Sequence, residues 1–90
     1  MSDDAGQRID RWLWHARIVR TRADAAALAR NGHIRVNGIR VTTAAKPVRR
    51  GDVVTIALFQ GVRLLRVVEY AERRGAAAAA PQLYVDITGG

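Results

Sequence analysis

The sequence has 90 residues, the length of one small domain, and 49% of them are hydrophobic. It contains no cysteine, which excludes a disulfide framework and a thiolate metal site. Its two histidines, His15 and His33, have no metal-ligand spacing, and no apolar run approaches the roughly 20 residues of a membrane span. The acidic start, Met1 to Asp4, is unlike a signal peptide. We therefore expect a cytoplasmic protein without cofactors.

Charge is distributed unevenly along the chain. The formal net charge is +7, and fourteen of the fifteen basic residues are arginine. Residues 8–50 carry eleven basic groups against two acidic ones, whereas residues 51–90 carry four of each. A basic field concentrated in one half of a domain attracts polyanions, and the arginine fork suits phosphate. A GC-rich genome also favours arginine, so composition alone does not decide for nucleic acid.

The first predicted element is a helix from Arg8 to Val19. Its apolar side chains recur at i, i+4 and i+7, which is the pattern of one buried helical stripe. The stripe and its flanks consist of Ile9, Trp12, Leu13, Ala16 and Val19. Trp14 falls outside the stripe and either covers the core or stacks on a base, and the sequence leaves both alternatives open.

A second helix is predicted over 23–30, after the polar break Arg20-Thr21-Arg22. Thr21 is a residue type that caps helix N-termini, and Asp24 stands where a capping box has its acidic residue. The buried face of this helix is predicted to carry Ala25, Leu28 and Ala29. Asn31-Gly32 ends the helix, because glycine tolerates the left-handed conformation that follows many helices.

The clearest local signal is the segment from Ile34 to Val41, where Asn37-Gly38 separates two alternating runs. Asn-Gly in this position is typical of a β-hairpin with a type I′ turn, which fixes the register. Arg35 is then directly opposite Arg40 on the exposed face. The buried face is predicted to carry Ile34, Val36, Ile39 and Val41. An anion that bridges the opposed arginines would relieve their repulsion; the alternative is that both side chains extend into solvent.

The remaining segments are predicted to complete the sheet. After a connection that contains Lys46-Pro47, the run 49–52 turns into a strand over 53–58. Gln60-Gly61 then turns into a further strand. Pro81 either begins a short helix or precedes a strand, and the sequence leaves this open.

The predicted elements define the fold class. It is α+β, with two N-terminal helices packed on a small, mostly antiparallel sheet. Residues 1–7 are expected to be a flexible N-terminus and residues 8–58 the binding core. Residues 59–90 are expected to complete the same single domain.

Several motifs occur in a fixed order along the chain. They are Thr21-Arg22 between two helices, Gly32, Val36-Asn37-Gly38, and Gly51-Asp52 before a strand. This set resembles the S-four RNA-binding domain, which is named after a ribosomal small-subunit protein and carries an αL RNA-binding motif. A narrower similarity is to the heat-shock protein 15 family of bacterial ribosome-associated proteins. It rests on Arg8-Ile9-Asp10-Arg11-Trp12-Leu13-Trp14, Ala16-Arg17, Arg20-Thr21-Arg22, Glu72-Arg73-Arg74 and Leu83-Tyr84.

The resemblance implies non-catalytic binding of structured RNA through an arginine-rich surface. Its implied partner is ribosomal RNA in the large ribosomal subunit, notably in stalled or heat-stressed subunits, and a monomer is assumed. The residues implied for this surface are Arg8, Arg11, Thr21, Arg22, Arg30, His33, Arg35, Asn37, Arg40 and Lys46. The sequence has no phosphate-cradling glycine motif and no nucleophile with a histidine or carboxylate at a suggestive spacing. No catalytic and no metal-binding residue is therefore expected.

Three other interpretations stay open. Two helices joined by a short break are also typical of a DNA-binding helix-turn-helix protein. S-four domains are also appended to RNA-modifying enzymes such as pseudouridine synthases, so the chain could be an accessory RNA-binding module. Exposed tryptophans would instead make a protein-interaction module, whose binding would survive high salt.

Overall fold

A computed structural model of the chain describes residues 6–71 and 83–89. Within them are two helices, α1 (Ile9–His15) and α2 (Arg22–Arg30). The strands are β1 (Gln7–Arg8), β2 (Ile34–Val36), β3 (Ile39–Arg40), β4 (Pro47–Val48), β5 (Val53–Leu58), β6 (Gly61–Val67) and β7 (Tyr84–Asp86). Neither helix of the described part is long and apolar enough to cross a membrane.

The larger sheet has five strands in the order β3-β2-β5-β6-β7, and every neighbouring pair is antiparallel. A separate two-stranded sheet joins β1 to β4. The two helices pack against each other, and their apolar faces form one core with the larger sheet. This arrangement confirms the predicted α+β class, and β5 has the predicted bounds.

The helical stripe predicted from periodicity forms the centre of this core. Its buried members are Ile9, Trp12, Leu13, Ala16 and Val19. Trp12 is fully buried, and its indole N–H donates a hydrogen bond of 3.1 Å to the Glu69 carbonyl oxygen. A buried tryptophan needs such an acceptor for its one polar group. Trp14 is partly buried and packs against the same core, as one of its two predicted roles requires.

The predicted length of α1 was wrong, because the helix ends at His15 rather than at Val19. Ile18 N–H bonds the Leu13 carbonyl over 3.0 Å, and Arg17 N–H bonds the Trp14 carbonyl over 3.1 Å. These two bonds make a Schellman ending, which needs one residue in the left-handed conformation. Arg17 takes that place with φ 61°. This ending could not be predicted from the sequence, because glycine is the usual residue in that place.

The predicted limits of α2 are confirmed to within one residue. Thr21 caps its N-terminus, because the Thr21 hydroxyl accepts a hydrogen bond of 3.0 Å from Asp24 N–H. At the other end Gly32 has φ +77°, and His33 N–H bonds the Leu28 carbonyl over 2.9 Å. A second Schellman ending, here with the expected glycine, therefore turns the chain into β2.

The hairpin has the predicted register, with Arg35 opposite Arg40 and Val36 opposite Ile39. Its turn residues Asn37 and Gly38 have φ values of 51° and 82°, as a type I′ turn requires. The burial predicted for Ile39 was wrong, since this residue is 74% exposed. The reason is its position on a two-residue edge strand, which pairs only with β2 among the described strands.

The small β1-β4 sheet was not predicted. It places Arg8 in a strand instead of in the first helix, and it pairs Gln7 with Val48. Gly6 allows this close approach, because a Cβ there would collide with the Val48 carbonyl oxygen. Two-residue strands have no periodicity from which they could be recognised.

At the C-terminal end the described residues form a strand, β7, on the edge of the larger sheet beside β6. Leu83, just before this strand, is buried. The alternatives left open at Pro81 begin outside the described residues, as does Glu72-Arg73-Arg74.

Candidate nucleic-acid interface

The side chains predicted for the interface lie on the surface of the domain. Nine of the ten are exposed, and Arg11 is half-buried. They fall into two groups at the two ends of α2, which are roughly 12 Å apart at 1.5 Å per residue. The helix-start cluster consists of Arg8, Arg11, Thr21 and Arg22. The hairpin cluster consists of Arg30, His33, Arg35, Asn37, Arg40 and Lys46.

A single buried carboxylate organises the helix-start cluster. Asp10 is only 4% exposed, and its two oxygens accept hydrogen bonds of 3.1 and 3.0 Å from the Arg8 guanidinium. Arg22 reaches the same carboxylate over 3.3 Å. The Arg11 backbone N–H donates a further bond of 2.7 Å to it. Asp10 thus holds two arginines from different elements close together.

The charge balance of this cluster leaves it able to bind an anion. Burial raises the pKa of Asp10, but the hydrogen bonds from Arg8 and Arg11 and the positive charges of Arg8 and Arg22 outweigh burial and lower it. The carboxyl group is therefore ionised at neutral pH. One negative charge shared by two guanidinium groups leaves a net charge of +1. The side chains of Arg8 and Arg22 stay 50% and 45% exposed, so both have donors free to face solvent.

Arg8 and Arg11 also line a surface groove of about 480 Å³ with two residues that sequence reasoning missed, Arg50 and Tyr70. The Arg50 guanidinium lies 4.4 Å from the centre of the Tyr70 ring, and its Nε donates a hydrogen bond of 3.0 Å to Glu69. The run 49–52 was recognised only as a turn. The pairing of Arg50 with a tyrosine 20 positions away had no sequence signal.

The hairpin cluster has a different electrostatic character. Arg35 and Arg40 are direct cross-strand neighbours, and both are exposed. Within residues 6–71 and 83–89 neither forms an ion pair, and the same holds for Arg30 and Lys46. Like charges opposed across two strands destabilise a sheet by about 0.2–1 kcal/mol. This cluster therefore presents positive charge that no ion pair of the described residues neutralises.

Arg40 is placed against the end of α2. A Cβ built on Gly32 would lie 3.4 Å from the Cζ and Nε atoms of Arg40, so this guanidinium packs closely over the glycine. Arg40 also shares a groove of about 370 Å³ with Lys46. The close packing over Gly32 brings the end of α2, which carries Arg30 and His33, next to the hairpin.

The side chain of Asn37 has a structural role. Its amide nitrogen donates a hydrogen bond of 3.1 Å to Asp52, and its amide oxygen accepts one of 2.9 Å from Val53 N–H. Asp52 in turn accepts a bond of 2.9 Å from Arg49 N–H. These bonds tie the hairpin turn to the start of β5. An RNA contact by Asn37 stays a prediction, and the bonds leave few amide donors for it.

The described residues offer no metal centre. No group of three or more histidine, aspartate or glutamate side chains comes together anywhere in residues 6–71 and 83–89. His33 lies on the exposed strand face, and His15 is buried beside Trp14, with ring centres 5.1 Å apart. The polar groups that come together are cations and their supporting carboxylate.

Comparison with known proteins agrees with this geometry. The S4 domain family matches residues 7–54, which contain both clusters. The chain therefore belongs to the S4 domain family of RNA-binding domains, as its motifs indicated.

Within this family, the relatives show a similarity to heat shock protein 15. The chain is 35% identical over 77 residues to the heat shock protein 15 homolog of Aeromonas salmonicida, covering 86% of this chain and 58% of that protein. It is 34% identical to heat shock protein 15 of Escherichia coli strain K12, of which it covers 57%. The chain thus spans less than two thirds of the length of these relatives. The predicted family resemblance is confirmed.

A solved structure shows the same fold. The trimeric heat shock protein 15 of Vibrio cholerae superposes with a TM-score of 0.82 at 30% identity, over 88% of this chain and 79% of that one. The small ribosomal subunit protein uS4 of Dichelobacter nodosus is 35% identical over 71 residues, which are 77% of this chain and 34% of that protein. The match to heat shock protein 15 thus covers more of both chains.

Proposed function

We propose that this chain binds structured RNA without catalysing a reaction, and that its two clusters contact phosphates of a folded RNA. The opposed pair of Arg35 and Arg40 carries the proposal, because it exposes two like charges on one face and neither forms an ion pair with a described residue. Phosphate would relieve that repulsion. Contacts of this kind respond to the shape and charge of an RNA helix rather than to its base sequence.

The proposed partner is ribosomal RNA of the large ribosomal subunit in the cytoplasm, including stalled or heat-stressed subunits. Membership in the S4 domain family and the names of the relatives, a ribosomal protein and a heat shock protein, support a ribosomal and stress-related role. The large subunit follows from the resemblance to the heat-shock protein 15 family. Crosslinking in cells, followed by sequencing of the attached RNA, tests this choice.

The dependence of affinity on salt tests whether phosphates are the ligand. If about five phosphates are neutralised, the logarithm of affinity should fall against the logarithm of salt concentration with a slope of roughly −3.5 to −4.5. Filter binding to an RNA stem over a range of potassium chloride concentrations measures this slope. Binding that survives high salt would instead indicate a protein-interaction module.

Reversing the hairpin charges tests the location of the interface. We expect Arg35→Glu/Arg40→Glu to weaken RNA binding at least tenfold. The substitution leaves two like charges opposed on the sheet, so the melting temperature should stay nearly unchanged. Arg22→Glu should also weaken binding at least tenfold.

A matched control separates location from total charge. Arg66 is exposed on β6, outside both clusters, so Arg66→Glu changes the net charge by the same amount as Arg40→Glu. The single change at Arg40 should weaken binding more than the one at Arg66. Equal effects would mean that total charge, not the hairpin cluster, determines affinity.

Competition between RNA and DNA duplexes of matched length separates this proposal from a DNA-binding function. The A-form RNA duplex should displace the DNA duplex from the chain. That the chain is a monomer stays a prediction, and the trimeric Vibrio cholerae neighbour gives a reason to test it by sedimentation.

A further inference from the structure

The turn between β5 and β6 exposes a phenylalanine completely. β5 ends at Leu58, β6 begins at Gly61, and these two residues face each other across the hairpin. Phe59 lies in the turn, and its side chain is fully exposed. A phenyl ring contributes strongly to stability only when it is buried. Phe59 therefore adds nothing to the core, and packing does not explain why a phenylalanine occupies this turn.

Phe59 belongs to an apolar groove rather than standing alone. Leu58, Val62 and Ile18 line the same groove, which encloses about 580 Å³. Ile18 comes from the segment after α1, where the left-handed Arg17 turns the chain back over the helix end. The early end of α1 thus builds one wall of this groove. The hairpin turn builds the other.

The surroundings of the groove are positively charged. Its walls belong to segments 16–22 and 57–64, which contain four arginines and no acidic residue. The arginines are Arg17, Arg20, Arg22 and Arg63. Of these, Arg63 pairs with Asp86 at 2.8 Å, and Arg22 shares Asp10 with Arg8. The two aspartates offset part of the positive charge, and the excess that remains favours an occupant that combines an apolar surface with negative charge.

This combination disfavours a second copy of the chain and favours RNA. A second copy that docked through the same groove would bring its own arginines of segments 16–22 and 57–64 toward these. An unpaired nucleotide supplies a flat base for the ring and a phosphate for the flanking guanidinium groups. Ile18 is four residues before Arg22, so the groove lies within about 14 Å of the helix-start cluster along the chain.

We propose that Phe59 stacks on an unpaired base next to the RNA helix that the arginine clusters hold. Arg20, which is exposed and follows Ile18 by two residues in the chain, contacts a phosphate that flanks this base. The proposal rests on the RNA-binding function proposed above. It adds a substrate preference, for RNA helices that carry a bulged or looped nucleotide over fully paired ones.

The test compares two RNA stems of equal length, one fully paired and one with a single bulged nucleotide. The unmodified chain should bind the bulged stem more tightly. Phe59→Ala should weaken binding to the bulged stem by about five- to one-hundred-fold and leave the paired stem unchanged. Phe59→Trp should retain the preference, because a larger ring still stacks. Thermal melts should be unchanged, since an exposed ring stabilises little.

Val85→Ala is the matched control, because Val85 is also an exposed apolar residue, on β7 and outside the groove. It should bind both stems as the unmodified chain does. Equal loss from Val85→Ala and Phe59→Ala would contradict a specific role of the groove.

Two outcomes distinguish failure of this proposal from failure of RNA binding itself. If Phe59→Ala binds the bulged stem normally while Arg35→Glu/Arg40→Glu loses both stems, the stacking proposal is wrong and the RNA-binding function stands. If the unmodified chain binds neither stem, the function fails and stacking fails with it. If Phe59→Ala instead dissociates an RNA-free oligomer in sedimentation and keeps its RNA affinity, the groove is a self-association surface, which also overturns the proposal.

Discussion

The two arginine clusters hold their charges together in different ways. In the helix-start cluster, Arg8 and Arg22 converge on the buried carboxylate of Asp10, so the protein itself supplies the counterion. In the hairpin cluster, Arg35 and Arg40 are opposed by the register of the turn, without a described ion pair. The first cluster is therefore organised before RNA arrives. In the second, we propose that RNA phosphates supply the counterions. Until RNA binds, the repulsion between Arg35 and Arg40 destabilises the free protein.

Removing the internal counterion should have the largest effect on stability. We expect Asp10→Asn to lower the free energy of unfolding by about 1–3 kcal/mol, because the amide group cannot accept both Arg8 bonds. Arg8 and Arg22 are about half exposed and stay hydrated, which keeps the loss below that of a fully buried pair. The melting temperature should fall by about 4–8 °C per kcal/mol in a domain of this size.

Acid denaturation checks that the carboxylate is the cause. The pKa of Asp10 is lower in the folded chain than its ordinary value of 3.8, so the unfolded chain takes up the proton first. The stabilisation is thus complete above that value and disappears as the pH falls through the lower, folded-state pKa. The stability curves of Asp10→Asn and the unmodified chain should converge in that range. Curves that stay parallel throughout the acid unfolding transition would contradict this assignment.

Asp86 provides an exposed carboxylate for comparison. Hydrogen bonds from Thr88 and Arg63 lower the pKa of Asp86 to about 2. Because an exposed ion pair contributes little, Asp86→Asn should destabilise the chain less than Asp10→Asn. A loss as large as that of Asp10→Asn would mean that burial does not distinguish the two carboxylates.

The sequence predicted the hairpin cluster better than the helix-start cluster. Asn37-Gly38 admits essentially one turn, and that turn alone sets Arg35 against Arg40. The meeting of Arg8 and Arg22 depends instead on how α1 packs beside α2. That packing depends on the end of α1 at His15 and on the left-handed Arg17 that follows it, which has no sequence signal because it is not glycine. Local turn chemistry is readable from sequence, whereas convergence of distant elements is not.

Burial was also predicted unevenly, for a related reason. Alternation identified Ile34, Val36 and Val41 as buried, and each of them is. It also assigned Ile39 to the core, although this residue is exposed on the edge strand. The alternation of apolar and polar residues indicates which face of the sheet a residue occupies. It does not indicate how far the elements that cover that face extend. The same limit hid Phe59, whose exposure is a property of the tertiary structure.

Gly32 offers a way to disturb the hairpin cluster alone. Gly32→Leu should lower RNA affinity roughly five- to tenfold, because a Cβ there would already be in van der Waals contact with the Arg40 guanidinium and the atoms beyond it would displace that group. It should also cost about 1–2 kcal/mol of stability, since leucine is strained at φ +77°. Filter binding and chemical denaturation of the same samples measure both effects.

Gly38→Leu is the matched control for backbone strain. Gly38 has φ +82°, but a Cβ there would meet nothing within 4 Å. The control should lose similar stability and keep most of its affinity for RNA. In an Arg40→Ala background, Gly32→Leu should have no further effect on affinity. A further loss in that background would show that the glycine acts on RNA binding by some route other than Arg40.

The smallest expected effect on stability gives the sharpest contrast between the clusters, because removing one arginine should change stability in opposite directions in the two. Arg40→Gln removes one of two opposed charges and should stabilise the free protein by about 0.2–1 kcal/mol. Arg22→Gln removes a partner of Asp10 and should destabilise it instead. Both variants should bind RNA more weakly.

Salt separates this electrostatic account from a change in packing. Repulsion between exposed arginines is screened at high ionic strength, where the Debye length is about 3 Å at 1 M. The stability gained by Arg40→Gln in urea denaturation should therefore shrink as salt is added. If Arg40→Gln destabilised the protein at low salt, the opposed pair would carry no strain in the absence of RNA. The charges of the hairpin cluster would then be as well accommodated in the free protein as those of the helix-start cluster.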